Sequence, residues 1–488
     1  MKSGIWASNG IIDPDNRLGT HPSAAYSNRC NVQNALGNYK AAIESCTIAL
    51  TGNSKPSEAY SMSLEILSQH RSGQLKGQSK VSIAAGLTEF PRELLELADS
   101  LEVLDLSGNC LRSLPEDFDR LQKLKILFIS QNDFEIFPEV LGRCSELSMV
   151  GFKANKIRVV PENALPPLLR WLILTDNQIE VLPESIGKCD RLQKLMLAGN
   201  RLNALPESMR DCRALELVRL AANRFESLPD WLVELPRLGW IGMGGAGDVE
   251  ALDDRGVTGD RSLQWRDFQV GDRLGEGASG IISRAVWQGE AAAVKVFKGA
   301  VTSDGLPEDE MRVCMAAGLH ENLVGVLGKV DDHPEKRLVL ALPLLDESFN
   351  ILGGPPSFES CTRDTFATDR TFDSTFILQV ARGIASVAKH LHDRGIMHGD
   401  LYAHNILVNQ SGKPVLSDFG AASFYPVGSD WEYLEVRSFG CLLEDLLDRC
   451  CEPKESALLI KLQKLQHDCL NEVVCDRPRF KEIYQRLD

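Results

Sequence analysis

The sequence is short of basic charge, of long apolar runs and of paired cysteines. Against 68 Asp and Glu stand 53 Lys and Arg, a net charge of −15 over 488 residues. Nucleic acid or an anionic membrane surface needs a dense basic footprint, so neither is expected as a main partner. No stretch of 18 apolar residues occurs, and MKSGIWASNGIIDPDNRLGT lacks a basic start followed by an apolar core. Neither a membrane span nor a secretory leader is expected, and the expected location is the cytoplasm. The 13 cysteines are odd in number and include no CxxC pair, which excludes a disulfide scaffold or a zinc site from the readings the sequence favours.

What is present is repetition. From residue 101 the frame LxxLxLxxNxLxxLP recurs as LEVLDLSGNCLRSLP, LKILFISQNDFEIFP, LSMVGFKANKIRVVP, LRWLILTDNQIEVLP, LQKLMLAGNRLNALP and LELVRLAANRFESLP. Its asparagines, Asn109, Asn132, Asn155, Asn177, Asn200 and Asn223, stand 23, 23, 22, 23 and 23 residues apart. This is the leucine-rich repeat signature: one short parallel strand per repeat, inward leucines forming a continuous core, and an Asn able to bond unpaired turn backbone. A degenerate cap precedes the array (Val81, Ile83, Leu87, Pro91), and another follows it at Leu238–Ala246. Cys144, Cys189 and Cys212 lie eleven residues before their asparagines, where Leu121 stands elsewhere, so they are expected to pack as small hydrophobes.

Side chains alternate along a strand, so the outward rows of the array can be written down. The third position of the frame gives Val103, Ile126, Met149, Trp171, Lys194 and Leu217; the fifth gives Asp105, Phe128, Gly151, Ile173, Met196 and Arg219. An apolar surface on a concave face that is usually wet suggests a protein partner there, on Val103, Ile126, Phe128, Met149, Trp171, Ile173, Met196 and Leu217. Two other readings stand beside it: the side chains pack against neighbouring ladders, or the chain's own C-terminal half docks on them. Upstream, AAYSNRCNVQNALGNYKAAIESCTIAL looks like one tetratricopeptide unit, with Gly37, Tyr39, Ala42, Ile43, Ala49 and Leu50 at its small-residue positions. Residues 242–264, rich in Gly and Asp, break the period and read as a linker.

Beyond Trp265 five signals follow in order. Gly275, Gly277 and Gly280 lie between strand-like DRL and IISRAV, a loop that lets backbone approach a polyphosphate. Lys295 sits in the apolar run AVKV. HGDLYAHN, residues 398–405, follows the helix-like FILQVARGIASVAKHLHDRGI. Asp418-Phe419-Gly420 comes next, and Asp476-Arg477-Pro478 opens the last helix. Each has a bland reading alone. Together, over about residues 265–488, they resemble a eukaryotic-type protein kinase domain, nearest its tyrosine-kinase-like branch, and the whole chain resembles a cytoplasmic leucine-rich-repeat protein kinase.

That resemblance implies ATP and Mg2+ as cofactors, a protein substrate and a role in signalling. Lys295 would bind the α/β-phosphates, Asp400 would be the catalytic base, and Asn405 and Asp418 would hold magnesium. The helix carboxylate paired to Lys295 is expected at Glu310, with Glu308 second. His398 is expected to pack rather than to act as acid or base.

The chain departs from the pattern in three places. Gly399 replaces the usual arginine, so the cation that would grip a phosphorylated activation segment is missing. Tyr402 stands where serine/threonine kinases usually carry a lysine, so the hydroxyl class stays open and serine/threonine is favoured only as the commoner class. About seventeen residues separate Asp418 from the helix-like EVRSFGCLLEDLL, roughly half the usual span, with no Ala-Pro-Glu motif. Arg477 thus lacks its customary glutamate, for which Glu432 or Glu435 could substitute. A nucleotide-binding pseudokinase acting as a scaffold is the runner-up, and phosphorylation of a small molecule a weaker third.

The expected architecture is an α/β leucine-rich-repeat solenoid and an α+β bilobal kinase fold, preceded by a short α-helical segment. Its boundaries are 1–22 disordered, 23–75 tetratricopeptide-like, 76–246 repeats, 247–264 linker and 265–488 kinase domain. Residues 346–375 read as a loop with no assigned role.

Overall fold

The computed structural model describes residues 77–244, 262–277, 279–298, 302, 304–453 and 456–488. The N-terminus expected to be disordered, the helical segment expected over 23–75 and linker residues 247–261 lie outside the described residues. The chain divides into two compact units between Cys212 and Arg213, within the repeat array rather than at the linker.

The first unit carries six three-residue strands: β1 Lys80–Ser82, β2 Val103–Asp105, β3 Ile126–Phe128, β4 Met149–Gly151, β5 Trp171–Ile173 and β6 Lys194–Met196. All pair in parallel at the repeat spacing, so that Val103 faces Ile126, Ile126 faces Met149, Met149 faces Trp171 and Trp171 faces Lys194. The frame leucines make the core: Leu104, Leu127, Leu172 and Leu195 are almost wholly removed from water. Short 3-10 turns return the chain, and Pro91, Pro138, Pro183 and Pro206 precede four of them with φ between −60° and −71°.

The repeat asparagines close the turns. Asn177 accepts from the Ile157 amide (3.0 Å) and donates to the carbonyls of Phe152 (2.9 Å) and Leu174 (3.0 Å). Asn109, Asn132, Asn155 and Asn200 repeat this ladder. Cys144, Cys189 and Cys212 are buried, and burial pushes their thiols up to about 12, 11 and 12, as befits packing residues.

The apolar row is less open than expected. Val103, Phe128 and Met149 are buried, while Ile126, Trp171, Ile173 and Met196 are half-buried. Neighbouring ladders supply cover: the Phe128 ring lies over Gly151, 2.6 Å from where a Cβ would stand, and the Lys194 ammonium sits 4.2 Å above the Trp171 ring.

The second unit begins with the last two repeat strands, β7 Leu217–Arg219 and β8 Trp240–Gly242, paired in parallel. Residues 262–264, expected in the linker, belong to the folded unit: β9 (Ser262–Leu263) pairs in parallel with β13 (Gly328–Val330). The strands β10 (Phe268–Glu276), β11 (Gly280–Trp287), β12 (Glu290–Phe297) and β14 (Val339–Pro343) complete a twisted sheet in the order β10-β11-β12-β14-β13-β9. The helix Pro307–Ala317 starts with proline in its first turn, carries Glu308, Asp309 and Glu310 there, and stops at Gly318 with φ +71°.

The helical half packs around Ser374–His392, capped by Asp373, which accepts from the Phe376 amide at 2.7 Å. Its Ile377, Val380, Ile384, Val387 and Leu391 join Phe439, Leu443 and Leu446 of the helix Glu432–Leu447 in one core. Among the described residues no helix is long and apolar enough to cross a membrane.

Replacing Asn177 with alanine strands a buried amide and two carbonyls together. Equilibrium urea denaturation should show the first unit weakened by about 2–3 kcal/mol.

Candidate active site

Strand pairing carries Lys295 opposite Ile282 on one side and Leu340 on the other, in the middle of the sheet. Its ammonium forms a buried ion pair with Glu310 of the helix Pro307–Ala317, not with Glu308. Burial alone would lower the Lys295 pKa, but Glu310 and Asp418 outweigh it and hold the ammonium above its ordinary value. Gly277 donates to the Gly280 carbonyl at 2.9 Å, closing the turn between β10 and β11. A Cβ at Gly280 would lie 2.8 Å from the Val296 carbonyl, whereas nothing stands near Gly277. Gly280 is therefore required by packing, and Gly277 leaves open space above the sheet. Gly275 lies at an irregularity in the β10 register.

The stretch 398–405 follows the strand Ile396–Met397. His398 is fully buried, with Nε2 3.0 Å from the Ser417 carbonyl and its ring against Phe419, a packing position. Asn405 donates to the Asp400 backbone carbonyl (2.9 Å) and to Asp400 Oδ2 (3.0 Å), fixing the carboxylate. Asp418 adopts φ +62° and accepts from the Gly420 amide at 3.2 Å. Phe424 and Ser423 pair back onto Ile396 and Met397, so the short segment after Asp418 lies flat on this stretch.

Glu435 is the anchor beneath it. Its carboxylate accepts from the amides of His398 (3.2 Å) and Gly399 (2.8 Å) and stands 2.7 Å from His392 Nε2. Burial would raise this carboxyl, but His392, His398 and the Gly399 amide bring it below its ordinary value. Neither candidate partner of Arg477 meets it. Glu432 pairs with Arg479 (3.0 Å) and accepts from the Phe480 amide (2.8 Å). Arg477 instead bonds the carbonyls of Asn471, Tyr433 and Pro236, and burial pushes it down to about 10.

Residues 346–375 also do more than connect. Asp364 accepts from the Ala403 amide (2.5 Å) and pairs with His404 Nδ1 (2.6 Å), while Arg363 grips Glu444 (2.6 Å) and Asp445 (2.7 Å). These four partners are distant in sequence and carry no periodic signal.

Leu217 and Arg219, expected on an open concave face, are buried in this unit. Arg219 Nε donates to Asp304 (2.8 Å), Nη1 to the Gly399 carbonyl (3.3 Å), and Nη2 is ion-paired with Asp400. Trp240 stacks on Tyr402 at 4.5 Å and 3°, with Nε1 donating to the Leu401 carbonyl at 3.1 Å.

The structure thus sets a sheet lysine on a helix glutamate and brings Asp400, Asn405 and Asp418 onto adjoining turns. Residues 268–439 match the model of the protein kinase domain, and residues 86–134 and 167–225 match that of the leucine rich repeat. The chain joins leucine-rich repeats to a protein kinase domain. Among relatives, a cytokinesis protein sepH of Emericella nidulans is 34% identical over 186 residues, which span 36% of this chain and 12% of that protein. Its counterpart in Aspergillus niger is 32% identical over 181 residues, 35% of this chain and 12% of the relative. The likeness thus covers about an eighth of the relatives' length.

The donors around Asp418 suit a particular kind of cation. Among the described residues no group of three or more His, Cys, Asp or Glu forms a metal cage. What the site offers is oxygen, from a carboxylate and an amide, which fits a hard divalent ion that completes its shell with phosphate and water.

Glu435→Gln should lower the stability of this unit by about 2–3 kcal/mol in thermal or urea unfolding. Because the native carboxyl titrates below its unfolded value, its contribution is complete above the ordinary carboxylate range and lost as pH falls through the native value. The stability of the wild type should therefore fall more steeply in acid than that of the variant.

Proposed function

We propose that this chain is an ATP- and magnesium-dependent protein kinase that phosphorylates protein hydroxyls, serine or threonine in the first instance, in cytoplasmic signalling. The observation that carries the reading is the Lys295–Glu310 pair in the same domain as an Asp400 carboxylate fixed by Asn405. In this account Glu310 holds Lys295 against the α/β-phosphates, and the backbone around Gly275, Gly277 and Gly280 covers them. Asp400 orients the acceptor hydroxyl and takes its proton. Asn405 and Asp418 hold magnesium, which when bound neutralises phosphate charge. Little else is needed, because phosphoryl transfer depends mainly on positioning and electrostatic stabilisation.

The repeats recruit a substrate or regulator, with the half-buried Ile126, Trp171, Ile173 and Met196 as the face offered. Trp171→Glu should abolish capture of such a partner while moving the melting temperature little.

A second reading has its own observation. Asp400 is ion-paired with Arg219, and the segment after Asp418 is short, which would suit a nucleotide-binding scaffold without transfer. Labelled ATP with magnesium separates the two. The kinase reading predicts slow label incorporation by the wild type, reduced about 10²–10⁴-fold by Asp400→Asn and lost in Asp418→Asn. Asp400→Asn should still bind nucleotide, and Lys295→Met should bind it weakly. Magnesium-dependent nucleotide binding without label would contradict the kinase reading and leave the scaffold.

A further inference from the structure

We infer that the last two repeat strands are a built-in cap on the protein-substrate side of the kinase site, with Arg219 as its latch on Asp400. The inference rests on the kinase reading above and concerns the regulation of that same site.

The latch is a matter of competition for oxygen atoms. Arg219 is 2% exposed, and it spends its Nε on Asp304, one N–H on the Gly399 carbonyl and one on Asp400 Oδ1. Burial opposes a charge here, yet Asp400 and Asp304 hold the guanidinium firmly ionised. The other oxygen of Asp400 carries the Asn405 amide. An incoming hydroxyl therefore meets a carboxylate whose two oxygens already have donors, one of them a fixed cation. With two carboxylates around it, Arg219 is poorly placed to serve a phosphate instead.

The strand behind the latch follows the catalytic loop and the segment after Asp418. Gly399 has φ +71°, and a Cβ there would lie 2.2 Å from the Ile241 carbonyl. Trp240 lies flat on Tyr402 and bonds Leu401. The Met243 amide donates to Ser423 Oγ (3.2 Å), Ser438 Oγ donates to the Gly239 carbonyl (2.8 Å), and Arg437 Nε donates to the Arg237 carbonyl (2.8 Å). Glu216, beside β7, bonds Thr362.

All three departures from the kinase pattern lie in this contact. The position without arginine, Gly399, admits the Ile241 carbonyl. The position without lysine, Tyr402, is the platform for Trp240. The short segment meets residues 237–243 through Ser423, which accepts from the Met243 amide. Arg219 brings a cation against a loop that has none at either of these positions. Meanwhile the Lys295–Glu310 pair is formed, so the cap bears on the acceptor and not on the nucleotide.

The test uses the full chain, labelled ATP with magnesium, and dephosphorylated casein as acceptor. Arg219→Met should raise kcat/KM for casein about tenfold or more, and Arg219→Lys, which keeps the charge, should stay near wild type. Nucleotide affinity should change less than about twofold in both, which also reports that the domain is folded. Gly239→Leu supplies a second variant outside the catalytic machinery: a Cβ there meets Ser438 Oγ at 3.0 Å, so a larger side chain should pry the strand away and raise transfer as well. Transfer unchanged or lowered in Arg219→Met and Gly239→Leu, with nucleotide still bound and the wild type active, would overturn the cap and leave the kinase reading standing. No transfer by any of these proteins despite bound nucleotide would overturn both.

Discussion

A guanidinium buried between two carboxylates constrains how the second unit can be built. Taking Arg219 out of water carries a desolvation penalty that only close, hydrogen-bonded pairing with the half-buried Asp304 and Asp400 offsets. Once the strand Leu217–Arg219 brings the cation to Asp400, the strand that follows lies beside residues 398–405. Trp240, Ile241 and Met243 hold it there with a stack, a carbonyl against a glycine and an amide to a serine. The phenol of Tyr402 is pushed far above its ordinary value by this burial, with Asp400 adding to the effect, so it stays neutral under its aromatic lid. These contacts are mutually supporting, which is the condition under which buried polar groups specify one arrangement.

The loop at residues 398–405 is held from below by different chemistry. Glu435 takes two of its amides, Asp364 takes a third and His404, and Asn405 ties the loop to its own Asp400. Carboxylates thus frame the loop, while Arg477 caps backbone carbonyls rather than an acid. The loop thus has hydrogen-bonded supports other than the repeat strands.

Legibility in the sequence followed the range of the interaction. A spacing of 23 residues dictated the strand register, the core leucines and the asparagine ladder, because each repeat contacts only its neighbours. The ordered motifs singled out Lys295, Glu310, Asp400, Asn405 and Asp418, and the structure sets Lys295 on Glu310 and Asn405 on Asp400. Arg219 stood in the outward row, yet nothing local announced that it would reach Asp400, 181 residues away. Asp304 and Asp364 were silent for the same reason, and Glu435 stood out only as a partner for Arg477, whereas it takes the amides of His398 and Gly399. The apolar row was read first as a partner surface, and the readings kept beside it hold for part of it: Phe128 packs over Gly151, and Leu217 and Arg219 are buried in the second unit. Gly399 and Tyr402 were visible as departures, and only their partners, Ile241 and Trp240, give the departures a physical cause.

The central claim is that Arg219 and Asp400 act as one unit. A double-mutant cycle on folding stability, with Arg219→Met, Asp400→Asn and the pair together, measures this without reference to any substrate. The account predicts a coupling of about 2 kcal/mol or more, because Asp400→Asn leaves the buried Arg219 guanidinium short of a carboxylate and Arg219→Met leaves the half-buried Asp400 without its cation. Additivity within about 0.5 kcal/mol would contradict it.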